Sequence, residues 1–242
     1  MRRIFSLCLT NTAKMNIERS FTFEELEIDP KEIITTLGYT EDSFFEPFPT
    51  YLAQAFECCK QLNDIKGAYR ILKMDEFCSD EKKVCVKNLQ FNVGRTIRKE
   101  LNGAENIAFF VCTAGAEISQ LADKLLKGED PVLGYVYDVI GSAIAEAVGD
   151  KIQEAISLSE HEAGRKITNR YSPGYCHWNV TDQHKLFSIF GGTVCDVKLT
   201  PSALMHPVKS ISGLIGIGEK VEFHDYQCNL CQLENCVYRD KH

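Results

Sequence analysis

Asp130-Pro131 opens the longest helical pattern in the chain, which runs to about Ser159 and constrains the fold more than any other stretch. Asp is a favoured N-cap, and Pro suits the first helical position, where a backbone N–H would have no partner. Val132, Val136, Val139, Ala143 and Ala147 recur at helical spacing and predict an apolar stripe. Glu146 follows Ala143 by three residues and falls at the edge of that stripe. A carboxylate there wants a cation or hydrogen-bond donors, although an ordinary boundary glutamate reads the same way.

Shorter elements flank this helix. Asp29-Pro30, then Lys31 to Leu37, then Gly38 reads as a short capped helix, and a second helix is expected from about Phe48 to Leu62 with Leu52, Ala55, Phe56 and Cys59 on one face. Ile65 to Met74 and Lys83 to Val86 alternate as strands do. Ala108-Phe109-Phe110-Val111-Cys112 suits a buried strand that leads through Thr113-Ala114-Gly115-Ala116-Glu117 into a helix ending near Lys127. This strand–turn–helix lacks G-x-G-x-x-G and reads as packing, not as a nucleotide loop. Thr181 to Phe190 reads as a capped helix with His184 on its surface. No repeat or Pro/Ser-rich linker divides the chain. Residues 1–20 are expected to be an N-terminal tail and residues 21–242 one α+β domain, with a Cys-rich segment at 226–242.

Composition narrows the function classes. The chain has 242 residues, 44% hydrophobic and 25% charged, enough for a sizeable core. A net charge of −7 without a run of like charge argues against nucleic acid or a membrane surface as partner, and suits small-molecule work or a protein partner. No stretch approaches the roughly 20 apolar residues of a membrane span. The basic start at Met1-Arg2-Arg3 precedes too short an apolar run for a signal peptide, so a cytoplasmic protein is expected, with Met15 an alternative start.

The richest polar inventory lies between Arg170 and Gly213. Arg170 ends a predicted strand and can present a planar fork to a carboxylate or phosphate. Pro173-Gly174 forces a turn, flanked by Tyr171, Ser172 and Tyr175. A plain turn with a surface arginine would look no different. Further on stand Leu199-Thr200, Met205-His206-Pro207 and Ser210-Ile211-Ser212-Gly213.

These segments, in this order and spacing, resemble the activation domain of cobalamin-dependent methionine synthase. The resemblance runs from about Phe21 onward and is strongest in the last third. It implies a single C-shaped α+β domain with a twisted, mainly antiparallel sheet flanked by helices. It implies S-adenosylmethionine as ligand, with Arg170 on the carboxylate and Glu146, within Ala145-Glu146-Ala147, on the α-ammonium. Backbone groups from Tyr171 through Ser172 to Gly174 would read polar edges, and Tyr175 would lie along the ligand. The implied activity is a methyltransferase step of methionine biosynthesis, from S-adenosylmethionine to a cobalamin reduced to cob(I)alamin. The chain would orient the methyl group, so no catalytic side chain is expected. Phe187 stands where the family's cobalamin-ligand motif has glycine, so the cobalamin would be presented by a corrinoid-binding methyltransferase partner. A flavodoxin-like or other reductant protein would supply the electron. A non-catalytic docking partner of a corrinoid protein is the alternative.

Eleven cysteines, an odd number, argue for reduced thiols over a disulfide framework. The exception is C-x2-C-x4-C at Cys228, Cys231 and Cys236, where three thiols could share a zinc ion or an iron–sulfur cluster, with Cys176, Cys195, His177 or an outside group as fourth ligand. A metal-free thiol cluster and a metal or redox carrier both remain open on this pattern.

Overall fold

The computed structural model describes residues 16–75, 80–128 and 130–224. Its frame is a five-stranded sheet of β1 (Ile17–Ser20), β2 (Lys66–Lys73), β5 (Asn106–Thr113), β9 (Ser210–Gly218) and β6 (Lys166–Tyr171), in that spatial order. Every neighbouring pair is antiparallel. Hairpin β3 (Lys83–Val86) with β4 (Leu89–Asn92) and the short pair β7 (Lys198–Leu199) with β8 (Met205–His206) lie outside it. The α+β class with a mainly antiparallel sheet is therefore as the sequence led us to expect. Residues 17–20, expected in the N-terminal tail, form β1 and pair with β2, and Phe21 continues the pairing by donating to the Ile65 carbonyl at 3.0 Å.

Period-two alternation sorts the core into two layers. In β5, Ala108, Phe110 and Cys112 enter one cluster while Ile107, Phe109 and Val111 enter the other. The strand is buried on both faces, which explains its unbroken apolar run. The first layer is covered by α1 (Pro30–Thr36), α2 (Phe48–Cys59), α4 (Ala116–Leu126) and above all α5 (Pro131–His161). The second is covered by α3 (Gly94–Glu100), α6 (Gln183–Phe190) and the β3–β4 hairpin.

By length and composition α5 could cross a membrane, contrary to the sequence expectation that no stretch could. Its apolar residues are instead turned onto the sheet and onto α2 and α4, with Val136, Ile140, Ile144, Val148 and Ile156 fully enclosed. Val132, placed on the stripe by spacing, is 43% exposed, while the next residue, Leu133, is the one that turns inward at 7%. Asp130 caps the helix by accepting from the Leu133 N–H at 3.0 Å, and Asp29 caps α1 through the Lys31 N–H at 2.9 Å.

The turn before α4 is closed to phosphate. Asp64 Oδ2 accepts from the N–H groups of Ala116 at 2.6 Å and Glu117 at 3.0 Å, so an internal carboxylate holds the helix N-terminus that an anion would need. Gly115 makes this approach feasible, since a Cβ there would strike the Asp64 carboxyl. His184 lies on the exposed side of α6, as the sequence indicated. Cys58, Cys59, Cys112 and Cys195 are in the thiol form, whereas Cys85 is disulfide-bonded, against the expectation of reduced thiols over a disulfide framework.

Candidate ligand site along the central helix

A β-bulge aims the site's arginine. Ile167 pairs with Ile217 and Arg170 with Ile215, so three residues of β6 advance against two of β9. Ile167 packs into the layer beneath α5, and strict alternation would have put Arg170 on the opposite face. The bulge reverses the parity: Arg170 turns towards α5, and Tyr171 sends its ring into the other layer. Thr168 fills the bulge by accepting from the Gly216 N–H at 2.9 Å.

Arg170 meets the two acids that α5 carries one turn apart. Its Nη2 lies 2.9 Å from Asp150 Oδ1 and 3.4 Å from Glu146 Oε2, and its Nη1 lies 3.5 Å from the Glu146 carbonyl oxygen. The arginine side chain is only 18% exposed, against 53% for Glu146 and 69% for Asp150. Gly149 makes the approach feasible, because a Cβ there would collide with the guanidinium and with Ile211 Cδ1. Partial burial pushes the Glu146 carboxyl above its usual range; the Arg170 charge pulls it back and Asp150 pushes the same way as burial.

Beside this cluster runs a groove of about 240 Å³ between α5 and the segment that enters α1. Val139, Ala143, Glu146, Ala147 and Asp150 form one wall, and Leu26, Ile28 and Ile33 line the other together with Glu27, Asp29 and Glu32. Glu27 is clipped to Lys151 of α5 at 2.7 Å, which holds the second wall in place and keeps the Glu27 carboxyl below its usual range. The groove mixes apolar side chains with acids on both walls, and Arg170 stands behind the lining, in contact with Glu146 and Asp150.

The turn after β6 is built as its sequence suggests. The Tyr175 N–H donates to the Ser172 carbonyl at 3.3 Å, Gly174 has φ of +99°, and its N–H donates to the Trp178 carbonyl at 2.7 Å. Trp178 is enclosed and bonds Asp182 through Nε1 at 3.0 Å, which anchors the turn to α6. Of the six residues expected at a ligand, Arg170 and Glu146 are brought together. Ser172 and Gly174 shape the turn that follows, and Tyr175 stands 57% exposed at its tip. The Tyr171 ring lies on the far side of the sheet, where burial raises its pKa. Asp150, Gly149 and the acidic wall of residues 27–32 escaped the sequence reading; Asp150 carried a signal, the i,i+4 spacing from Glu146.

Within the hydroxyl row Ser210 is held by its own chain, whereas Ser212 Oγ is buried without a hydrogen-bond partner among the described residues. Ser210 Oγ lies 2.8 Å from Thr113 Oγ1 and 2.7 Å from the Pro207 carbonyl, and a Cβ at Gly213 would strike the Tyr171 carbonyl and the Phe110 ring. No cluster of three or more His, Cys, Asp or Glu suited to a metal occurs among the described residues. Cys228, Cys231 and Cys236 lie outside them. Cys195, one of the suggested fourth ligands, is enclosed, and burial raises its thiol.

Fold and groove together define an α+β domain that presents a charged cleft beside a long central helix. The family model for the activation domain of vitamin B12-dependent methionine synthase matches residues 79–241. The chain belongs to that family. A crystal structure of the MetH reactivation domain bound to AdoHcy shares the fold, with a TM-score of 0.61 at 17% identity over 87% of this chain and 80% of that one. No curated protein matches the chain.

Proposed function

We propose that the chain binds S-adenosylmethionine in the groove along α5 and serves the reductive remethylation of a cobalamin carried by a methionine synthase or related corrinoid methyltransferase. The observation that carries this reading is the charge layout, a largely covered arginine held by two acids that themselves line an acid-walled groove. S-adenosylmethionine has the complementary set: a carboxylate for Arg170, an ammonium for Glu146, and a sulfonium for a wall bearing Glu27, Asp29 and Glu32. The family supports the assignment, as does the AdoHcy bound to the related reactivation domain, AdoHcy being what S-adenosylmethionine becomes on losing its methyl.

The groove's volume, about 240 Å³, is below the roughly 300–1,000 Å³ of pockets that enclose a ligand. A ligand would thus lie with one side open, as transfer to an acceptor on another protein requires. The sulfonium supplies an activated methyl group, and a reduced corrinoid supplies the nucleophile. This chain's residues bind and orient: Arg170 and Glu146 fix the amino-acid end, and the apolar lining at Ala143, Ala147 and Ile28 holds the remainder in place.

Calorimetric titration with S-adenosylmethionine tests the proposal. Saturable binding is expected in the wild type, with losses of roughly 2–5 kcal/mol in Arg170→Ala and a smaller loss in Glu146→Ala. A folded wild type that binds none would overturn the reading.

A further inference from the structure

Arg170 is engaged by the chain's own carboxylates, and unequally. Asp150 is the nearer partner at 2.9 Å, while Glu146 stands off at 3.4 Å. The two ends of the Arg170–Asp150 pair also differ in freedom. The guanidinium lies close over Gly149 and is 18% exposed, whereas Asp150 is 69% exposed and can turn to water. Nη2 already faces both Asp150 and Glu146, so a ligand carboxylate that takes the guanidinium edge bidentately has to displace Asp150. Once displaced, Asp150 stays one turn from Glu146 on the same helix face, where both can meet a ligand ammonium.

We propose that Asp150 is a specificity-determining residue: it stands in for the ligand carboxylate on Arg170 and thereby makes the groove select α-amino-acid zwitterions. The inference rests on the S-adenosylmethionine reading above. The reasoning is an exchange of ion pairs. A zwitterion breaks one pair, Arg170–Asp150, and forms two, carboxylate to Arg170 and ammonium to the freed acids. A carboxylate without an amine breaks one pair and forms one, so it gains nothing. A nucleoside with neither group leaves the pair untouched.

Asp150→Asn separates these cases. Three probes are titrated into wild type and variant: AdoHcy, its analogue that keeps the carboxylate but lacks the amine, and 5′-methylthioadenosine, which has neither. The amine-free analogue is expected to bind the variant roughly three- to fivefold more tightly, the range of an exposed ion pair. AdoHcy should change less, so its preference over that analogue should fall, and 5′-methylthioadenosine should bind both proteins alike. An equal change for all three probes, or no gain for the amine-free analogue, overturns the proposal. If the wild type binds none of the three, the S-adenosylmethionine reading fails. Asp150 is then judged with methionine against 4-(methylthio)butanoate, which need no nucleoside pocket. The same shift in preference there sustains the selection of zwitterions, and no binding or no shift overturns it.

Discussion

Two stations on α5 share one construction and differ in what surrounds them. At the first, Lys209 crosses Gly141 and is held by Asp138 at 2.8 Å and Ser142 at 2.9 Å. At the second, two turns along, Arg170 crosses Gly149 and is held by Glu146 and Asp150. Asp138, Ser142, Glu146 and Asp150 form a single i,i+4 ridge, and each half clasps one cation, Lys209 from the bend before β9 and Arg170 from β6. The Lys209 station is closed: the lysine is 14% exposed, its acid 37%, and its carbonyl accepts from the Ala114 N–H at 2.8 Å. The Arg170 station opens on a groove through acids that are more than half exposed. On the proposed reading, a covered cation beside a helix glycine is a latch where its acid is the less exposed, and a binding site where its acids can be exchanged.

That contrast can be broken by substitutions. Gly213→Val should have the largest effect, because the added carbons meet the Tyr171 backbone and the Phe110 ring beneath both stations. Overpacking of this kind costs about 3 kcal/mol or more, which denaturant titration would register as a collapse of the midpoint. Lys209→Met should lower stability by about 2 kcal/mol, while S-adenosylmethionine affinity changes by less than about threefold. Equal damage to binding would erase the distinction between latch and site. Gly149→Ala should act the other way round. Its Cβ displaces the guanidinium, so affinity should fall by about tenfold or more. Stability should stay within about 1 kcal/mol, since alanine favours the helix by a similar amount. Calorimetry and thermal melting on the same samples would check both halves.

Glu146→Gln should have the smallest effect on stability, and it depends on pH. A carboxyl whose folded pKa is raised takes up a proton on folding, so its charged form opposes the fold at neutral pH. The variant should therefore be more stable than wild type at pH 7, by a few tenths of a kcal/mol given the side chain's exposure. The difference should shrink as pH falls through the raised value and vanish below the ordinary 4.5. Melting curves across that range would show it. A variant less stable than wild type at pH 7 would mean that the ion pair with Arg170 outweighs burial.

Much of the scaffold was legible in the sequence because it is local. Asp29-Pro30 and Asp130-Pro131 mark the helix starts, and the alternation through Phe109 and Phe110 marks a strand buried on both faces. That Arg170 and Glu146 would serve one ligand came from family resemblance, and the residues alone left it open; their contact with each other was not foreseen. What stayed hidden arises through space. The face that Arg170 takes depends on a bulge whose partner strand lies some forty residues away in sequence. Asp64 caps α4 from a loop 52 residues upstream. Gly149 looks like any small residue on a helix until the guanidinium is seen lying against it.

The most direct test of the ligand site is a crystal structure of the protein with AdoHcy bound. The account predicts the ligand carboxylate on Arg170, its ammonium beside Glu146 with Asp150 released from the arginine, and the adenosyl group over Ala143 and Ala147. A ligand seated elsewhere, with the Arg170–Asp150 contact intact, would contradict it.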